Sequence, residues 1–183
     1  MIPLMLNPAL VRLGLCGEGP LTLRRLKWLR DCGANPIVFA PDPSDELAIA
    51  AGVSLRRSIP DHKELTTLSA LWIADFASDI ANPLADLARA TRVLVNVEDV
   101  MDYCDFQTPA IVRRGRLTLS ISTGGASPAI ASNIRQRLET AFPDAWTGLL
   151  EEVAASRSEL RMQGATFPEL LADAQARLHK SGL

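Results

Sequence analysis

The chain has 183 residues, 48% of them hydrophobic and 22% charged, with a formal net charge of −2. That length buries the core of one domain or two small ones, and the near balance of charge excludes a generally basic nucleic-acid binder, so any anion site must be local. No apolar run approaches ~20 residues, so no transmembrane helix is expected, and no charged segment leads into an apolar one at the N-terminus, so no signal peptide is expected.

Val11 to Cys16 reads as a first buried strand. Gly17-Glu18-Gly19-Pro20 makes a turn, and Leu21 to Cys32 reads as a helix with Leu23, Leu26 and Leu29 inward and Gly33 at its C-cap. Ile37 to Ala40 is a second strand, stopped by Pro41-Asp42-Pro43. Strand, glycine turn, helix and strand within about 30 residues form the βαβ unit of dinucleotide-binding sheets. Asp45 to Ala51 reads as a helix ended by Gly52, Leu71 to Ala74 as a strand, Leu84 to Ala90 as a helix and Val93 to Val97 as a strand. This alternation predicts a parallel sheet covered on both faces.

The pattern changes after Asn96. Thr108 to Val112 and Leu117 to Ser122 are rich in β-branched residues and flank the polar Arg113-Arg114-Gly115-Arg116, which predicts a hairpin. In Ser122-Thr123-Gly124-Gly125-Ala126-Ser127-Pro128 the glycines open backbone shapes closed to other residues, Ser127 suits an N-cap and Pro128 a first helical position. Ile130, Ile134, Leu138 and Phe142 then share one helix face. Beyond Phe142 the chain reads as helical. Trp146, Leu149, Leu150, Val153 and Leu160 mark one face, and Thr166 to Glu169 is a capping-box start for a last helix. From Phe106 to Leu138 there is no acid, while Arg113, Arg114, Arg116, Arg135 and Arg137 are present. Such an excess beside a helix N-terminus suits an anionic ligand, although solvated surface accounts for any single arginine.

The run NVEDV…CDFQTPAIVRRGRLTLSISTGGASPAIASNIRQRL, Asn96 to Leu138, resembles the signature region of the precorrin-2 dehydrogenase / sirohydrochlorin ferrochelatase family, the NAD-binding part of siroheme synthases. Pro3-Leu4-Met5-Leu6 resembles the opening of that family, and Gly17-Glu18-Gly19 falls at its glycine triplet. The resemblance covers roughly the first three quarters of the chain and fades after Phe142. It implies an α/β protein with a Rossmann-like NAD-binding domain over 1–107 and a dimerisation module of hairpin plus helix over 108–143, to which the helical pattern beyond Phe142 adds a C-terminal helical segment over 144–183. It further implies NAD-dependent dehydrogenation of precorrin-2 to sirohydrochlorin by a homodimer, with neither nucleic acid nor membrane as partner, and leaves open whether the protein also inserts iron. The methyltransferase half of the family is not expected in a sequence that ends at Leu183. Three cysteines (Cys16, Cys32 and Cys104) without CxxC spacing agree with reduced thiols in the cytoplasm.

Carried onto this sequence, the cofactor-binding positions are Gly17, Glu18, Gly19, Pro20, Leu21, Pro41, Asp42, Phe76 and Val97. A glycine turn opening a helix presents backbone amides to a diphosphate, and an acid after the second strand holds ribose hydroxyls. Asp42 stands there with no arginine immediately beside it in sequence, which favours NAD over NADP; a plain Pro-Asp-Pro turn reads almost equally well. Asp99 matches the catalytic aspartate of the family. Dehydrogenation sheds a hydride and a proton, and a carboxylate at a strand's C-terminal end can take the proton. Glu98 beside it is either a bystander or a like charge that raises the neighbour's proton affinity. Ser122, Thr123, Gly124, Gly125 and Ser127, with Arg113 and Arg116, are expected to hold substrate carboxylates through hydroxyls, amides and guanidinium groups, tight packing of the turn being the alternative. His62, His179 and the cysteines lack ligand spacing, so no metal site is expected. The chain departs from the family at Glu18, for a middle glycine, at Thr22, where Gly or Ala is preferred, and at Phe76, for a threonine. Those departures keep two alternatives in view, a non-catalytic tetrapyrrole-binding homologue and a chelatase without redox activity.

Overall fold

A computed structural model describes residues 2–183. The chain forms two compact units, Met1–Gln107 and Thr108–Leu183. The first contains strands β1 (Leu13–Cys16), β2 (Ile37–Phe39), β3 (Leu55–Arg56), β4 (Ala70–Ile73) and β5 (Leu94–Val97) and helices α1 (Pro20–Asp31), α2 (Asp45–Ala51), α3 (His62–Leu65) and α4 (Ser78–Ala90). All five strands are parallel in the order β3-β2-β1-β4-β5. The residues of β1 and β4 are buried throughout, as continuous apolar runs in the middle of a doubly covered sheet must be. Leu26, Leu29, Val38, Leu47 and Trp72 pack in one core cluster, and Phe39, Leu65, Leu71, Ile73, Leu84 and Val95 in another.

The sheet and its alternation follow the sequence reading, with local corrections. The inward face of α1 carries Thr22, Leu26 and Leu29, while Leu23 is only partly buried. α4 begins at Ser78, not Leu84, with Pro83 inside it. The amide that Pro83 lacks would have bonded only to a first-turn carbonyl, and burial of Ala81, Leu84, Ala85 and Ala88 outweighs that loss. β3 and α3 are too short to show a period. β3 exists because Leu55 and Arg56 pair with Val38 and Phe39, and α3 because Asp61 and Glu64 cap it reciprocally. The outer edge of β5 is closed by its own chain: Asp105 donates its amide to the Val95 carbonyl at 2.8 Å and accepts from the Val95 amide at 2.9 Å. Phe106 then meets Trp72 edge-to-face at 4.9 Å.

The second unit holds the antiparallel pair β6 (Ala110–Arg114) and β7 (Leu117–Ile121) and helices α5 (Pro128–Ala141), α6 (Ala145–Met162) and α7 (Phe167–Ser181). Arg113 and Arg114 belong to β6, not to the turn, because the register pairs Arg114 with Leu117 and leaves a two-residue Gly115-Arg116 turn. Gly115 sits at φ +57°, and a Cβ there would lie 2.8 Å from Thr147 on α6. Arg114 donates to the carbonyls of Phe142 (2.7 Å) and Glu139 (3.2 Å), placing a cation on the C-terminus of α5. Ser127 caps α5 by accepting from the Ile130 amide at 3.2 Å. α6 packs on both hairpin strands, so the helical segment from 144 onward shares one unit with the hairpin. No residue of α5 is fully buried within the chain, and Ile130 is 56% exposed.

At Gly17, a Cβ would fall 2.1 Å from Thr22 Oγ1 and 2.2 Å from the Ala74 carbonyl oxygen, both held by buried structure. Gly17→Ala is expected to destabilise the protein by about 3 kcal/mol or to prevent folding, measured by urea denaturation. A loss below about 1 kcal/mol would mean that β1 and β4 have more room at their ends than this packing allows.

Candidate functional site

In a sheet ordered β3-β2-β1-β4-β5, the first crossover runs from β1 outward through β2 and the next returns to the other side of β1, so the two diverge between β1 and β4. Ligands of open α/β sheets lie in the crevice at the carboxyl ends of the strands at such a point. Here the crevice is edged by Gly17 after β1, Ala74 and Asp75 after β4, and Glu98 and Asp99 after β5.

The N-terminus of α1 opens onto it. Gly19 is the N-cap and brings no side chain, and Pro20 at the first helical position has no amide hydrogen. The next donors are Leu21 and Thr22, and the carboxylate of Asp75 takes both. It accepts from the Thr22 amide at 2.7 Å and the Leu21 amide at 3.4 Å, and from the Thr22 hydroxyl at 2.8 Å. Asp75 holds this position from a left-handed backbone, φ +59°, a conformation that costs an ordinary residue about 1 kcal/mol and that aspartate tolerates better than most. Gly19 leaves the space: a Cβ there would lie 2.8 Å from the Asp75 carboxyl carbon. No spacing rule pointed to Asp75. The available signal was Thr22, a fully buried hydroxyl that must have a partner.

Glu18 turns toward β2. Its Oε1 accepts from the Asp42 amide at 2.9 Å, which ties the turn after β1 to the turn after β2. Pro41 and Asp42 are exposed there. The register of β3 sets Arg56 beside Phe39, an arginine near this turn that sequence distance hides. Its guanidinium is turned back onto the Val53 and Leu55 carbonyls.

Phe76 and Val97 line one cleft between the ends of β4 and β5, with Ala74, Asp75, Glu98 and Val100. Both oxygens of Glu98 are engaged: Arg24 reaches one at 2.9 Å and Arg25 the other at 2.6 Å, while its amide donates to the Ile73 carbonyl at 2.9 Å. Arg25 also lies over the Trp28 ring at 5.3 Å. Glu98 therefore fastens the end of β5 to α1 and is no idle neighbour. Asp99 follows it, exposed and left-handed at φ +63°. Close by, Cys104 donates toward the Val97 carbonyl at 3.2 Å, and burial pushes its thiol pKa up.

In the second unit, the expected substrate turn spends its hydroxyls on itself. Ser122 Oγ accepts from the Gly124 amide at 3.2 Å, Thr123 Oγ1 accepts from the Ser127 amide at 3.1 Å, and Ser127 Oγ caps α5. Gly124 and Gly125 are left-handed, at φ +64° and +84°, and a Cβ at Gly124 would meet nothing within 4 Å. What this turn can still offer a ligand is backbone; Arg113, opposite Thr118, and Arg116, in the hairpin turn, lie toward the other end of the strand pair, so the structure does not gather them with Ser122 to Ser127.

A family model described as putative NAD(P)-binding matches residues 4–110. The chain belongs to that NAD(P)-binding family. A second model, described as the central part of a sirohaem biosynthesis protein, matches residues 114–141. Siroheme synthase from Nitrosococcus oceani is 32% identical over 165 residues, covering 88% of this chain and 35% of the relative. Siroheme synthase from Chromobacterium violaceum is 30% identical over 184 residues, covering 99% of this chain and 38% of the relative. The chain thus spans little more than a third of the relatives it matches. Among solved structures, SirC, a precorrin-2 dehydrogenase, matches with a TM-score of 0.70 at 22% identity, covering 100% of this chain and 99% of that one. The two share a fold.

For a member of an NAD(P)-binding family, the crevice offers a wall at Phe76 and Val97 and an exposed acid turn at Asp42. The Leu21 and Thr22 amides, which face the position of an anion at this helix end, are held by Asp75. The anchoring of Glu98 has its own consequence. Glu98→Ala strands Arg25, whose side chain is only 13% exposed, and should cost about 2 kcal/mol in urea denaturation. Arg24→Ala, with a side chain 66% exposed, should cost less than about 1 kcal/mol. Equal losses would show that Arg24 carries the anchor and that the Arg25 pair adds nothing to it.

Proposed function

We propose that the chain is an NAD-dependent dehydrogenase that oxidises precorrin-2 to sirohydrochlorin. One observation supports this reading above the others: Asp99 stands exposed at the crevice end of β5 on a turn that Glu98 pins to α1. Precorrin-2 loses two electrons and two protons' worth of hydrogen as a hydride and a proton. When bound, the oxidised nicotinamide supplies the hydride acceptor; the turn Gly17, Glu18, Gly19, Pro20, Leu21, with Pro41 and Asp42, and the cleft residues Phe76 and Val97 are the groups that would hold it. Asp99 takes the proton as general base. The anchor on Glu98 limits how far Asp99 can drift, since a small misplacement of a catalytic group is expensive in rate. Asp42, with the Arg56 guanidinium turned away, supports NAD over NADP. Arg113 and Arg116 and the backbone of Ser122, Thr123, Gly124, Gly125 and Ser127 suit the carboxylates of the tetrapyrrole. The names of the siroheme synthase relatives and of SirC agree with this chemistry.

The protein is proposed to work in the cytoplasm as a homodimer joined through the module over 108–143. An isolated hairpin is marginal in water, and α5 presents Ile130 and Ile134 to solvent within the single chain. Among the described residues no helix is long and apolar enough to cross a membrane.

The hold of Asp75 on α1 favours one other reading, a homologue that binds the tetrapyrrole, or inserts a metal into it, without using NAD. NAD titration followed by an anaerobic assay with precorrin-2 separates the two. Sirohydrochlorin formed with stoichiometric NADH supports the dehydrogenase, and tetrapyrrole binding without NADH supports the alternative. On the dehydrogenase reading, Asp99→Asn loses at least about a hundredfold in turnover, the usual scale for a general base, with NAD affinity near wild type. Full activity in that variant removes Asp99 from the mechanism. Light scattering at micromolar concentration should give twice the 19.8 kDa chain mass; a monomer with intact activity would contradict the proposed assembly.

A further inference from the structure

We infer that Asp75 sets the cofactor affinity of this chain, because its carboxylate occupies the helix donors that a dinucleotide's diphosphate requires. The inference rests on the nicotinamide reading of the crevice and concerns the same site.

A helix N-terminus presents unpaired amide hydrogens and the positive end of the helix dipole, and an anion placed there satisfies both. Diphosphates of bound dinucleotides use this position at the first helix of the fold. In α1 Pro20 has no amide hydrogen to donate, and Gly19 brings no side chain to accept from the amides that follow it. Leu21 and Thr22 remain, and Asp75 bonds to both amides. The Thr22 hydroxyl adds a third bond to the same carboxylate. A carboxylate and a diphosphate oxygen cannot share one pair of amides, and their like charges repel. The cofactor must displace Asp75.

The contact is built on purpose-fitted residues. Asp75 adopts φ +59°, a strain that persists only where surroundings over-determine it. Gly19 has no Cβ to crowd the carboxylate. Thr22 supplies a buried hydroxyl where the smaller Gly or Ala of a dinucleotide fingerprint would leave Asp75 one bond short. Thr22 and Asp75 thus function as a pair. Asp75 is nonetheless exposed at the crevice, so its side chain can rotate into water when a stronger anion arrives. The result is a site that holds its first helix capped without ligand and admits NAD only by exchange.

The test uses Asp75→Gly, which keeps the left-handed backbone without strain, and Asp75→Asn, which keeps an acceptor without the charge. NAD and inorganic pyrophosphate are titrated calorimetrically into each protein, and melting temperatures are recorded with and without them. Asp75→Gly is expected to bind both ligands about tenfold tighter than wild type, the effect of removing one charge-assisted competitor. Its ligand-free melting temperature should fall and recover with either ligand, while Asp75→Asn melts near wild type and binds with intermediate affinity. Tighter pyrophosphate binding with no NAD binding in any variant would uphold the role of Asp75 at the helix and refute the nicotinamide reading. If the melting temperature falls but neither ligand binds tighter, Asp75 is a cap alone and the inference is wrong.

Discussion

The carboxylate of Asp75 on the first turn of α1 is the contact on which the crevice depends. It joins the end of β4 to the helix that follows β1, across the place where the two crossovers of the sheet diverge. Without it, Leu21 and Thr22 would present unsatisfied amides at the positive end of a 12-residue helix, and buried Thr22 would hold a hydroxyl with only a distant carbonyl at 3.5 Å to bond. Gly17 and Gly19 follow from the same contact. One lets Thr22 and Ala74 approach the end of β1, and the other leaves room for the carboxylate itself.

The neighbouring strand repeats the geometry for a different purpose. Ile73 and Val97 are register partners at the ends of β4 and β5, and each strand is followed, two residues later, by a left-handed aspartate, Asp75 or Asp99. Asp75 is turned onto α1 and does structural work. Asp99 is kept exposed because Glu98, not Asp99, accepts the two arginines of α1. Thus α1 organises both acid turns, one through its amides and the other through its guanidinium groups. A single helix thereby couples the cofactor end of the crevice to the acid proposed to take the substrate proton.

Much of this was legible in the residues. The apolar runs of β1, β4 and β5 and the glycine turn before α1 were strong enough to predict a parallel sheet, and Ser127-Pro128 marked the start of α5 to the residue. What was hidden was tertiary. β3 has two residues and owes its existence to β2. The Ser78 start of α4 is masked by Pro83, whose penalty is outweighed by packing that sequence does not display. Arg113 and Arg114 look like turn residues until the register places them on β6. The departures at Glu18 and Thr22 could be read as losses from a family pattern. Their partners, the Asp42 amide and the Asp75 carboxylate, lie 24 and 53 residues away, and no periodicity connects them.

The most direct measurement is a pair of crystal structures, of the chain alone and of the chain soaked with NAD. The account predicts Asp75 bonded to the Leu21 and Thr22 amides in the first. In the second, both amides face the diphosphate and the Asp75 side chain has swung into solvent. NAD bound in the crevice with Asp75 still on both amides would contradict it, as would an Asp75 already turned away in the chain alone.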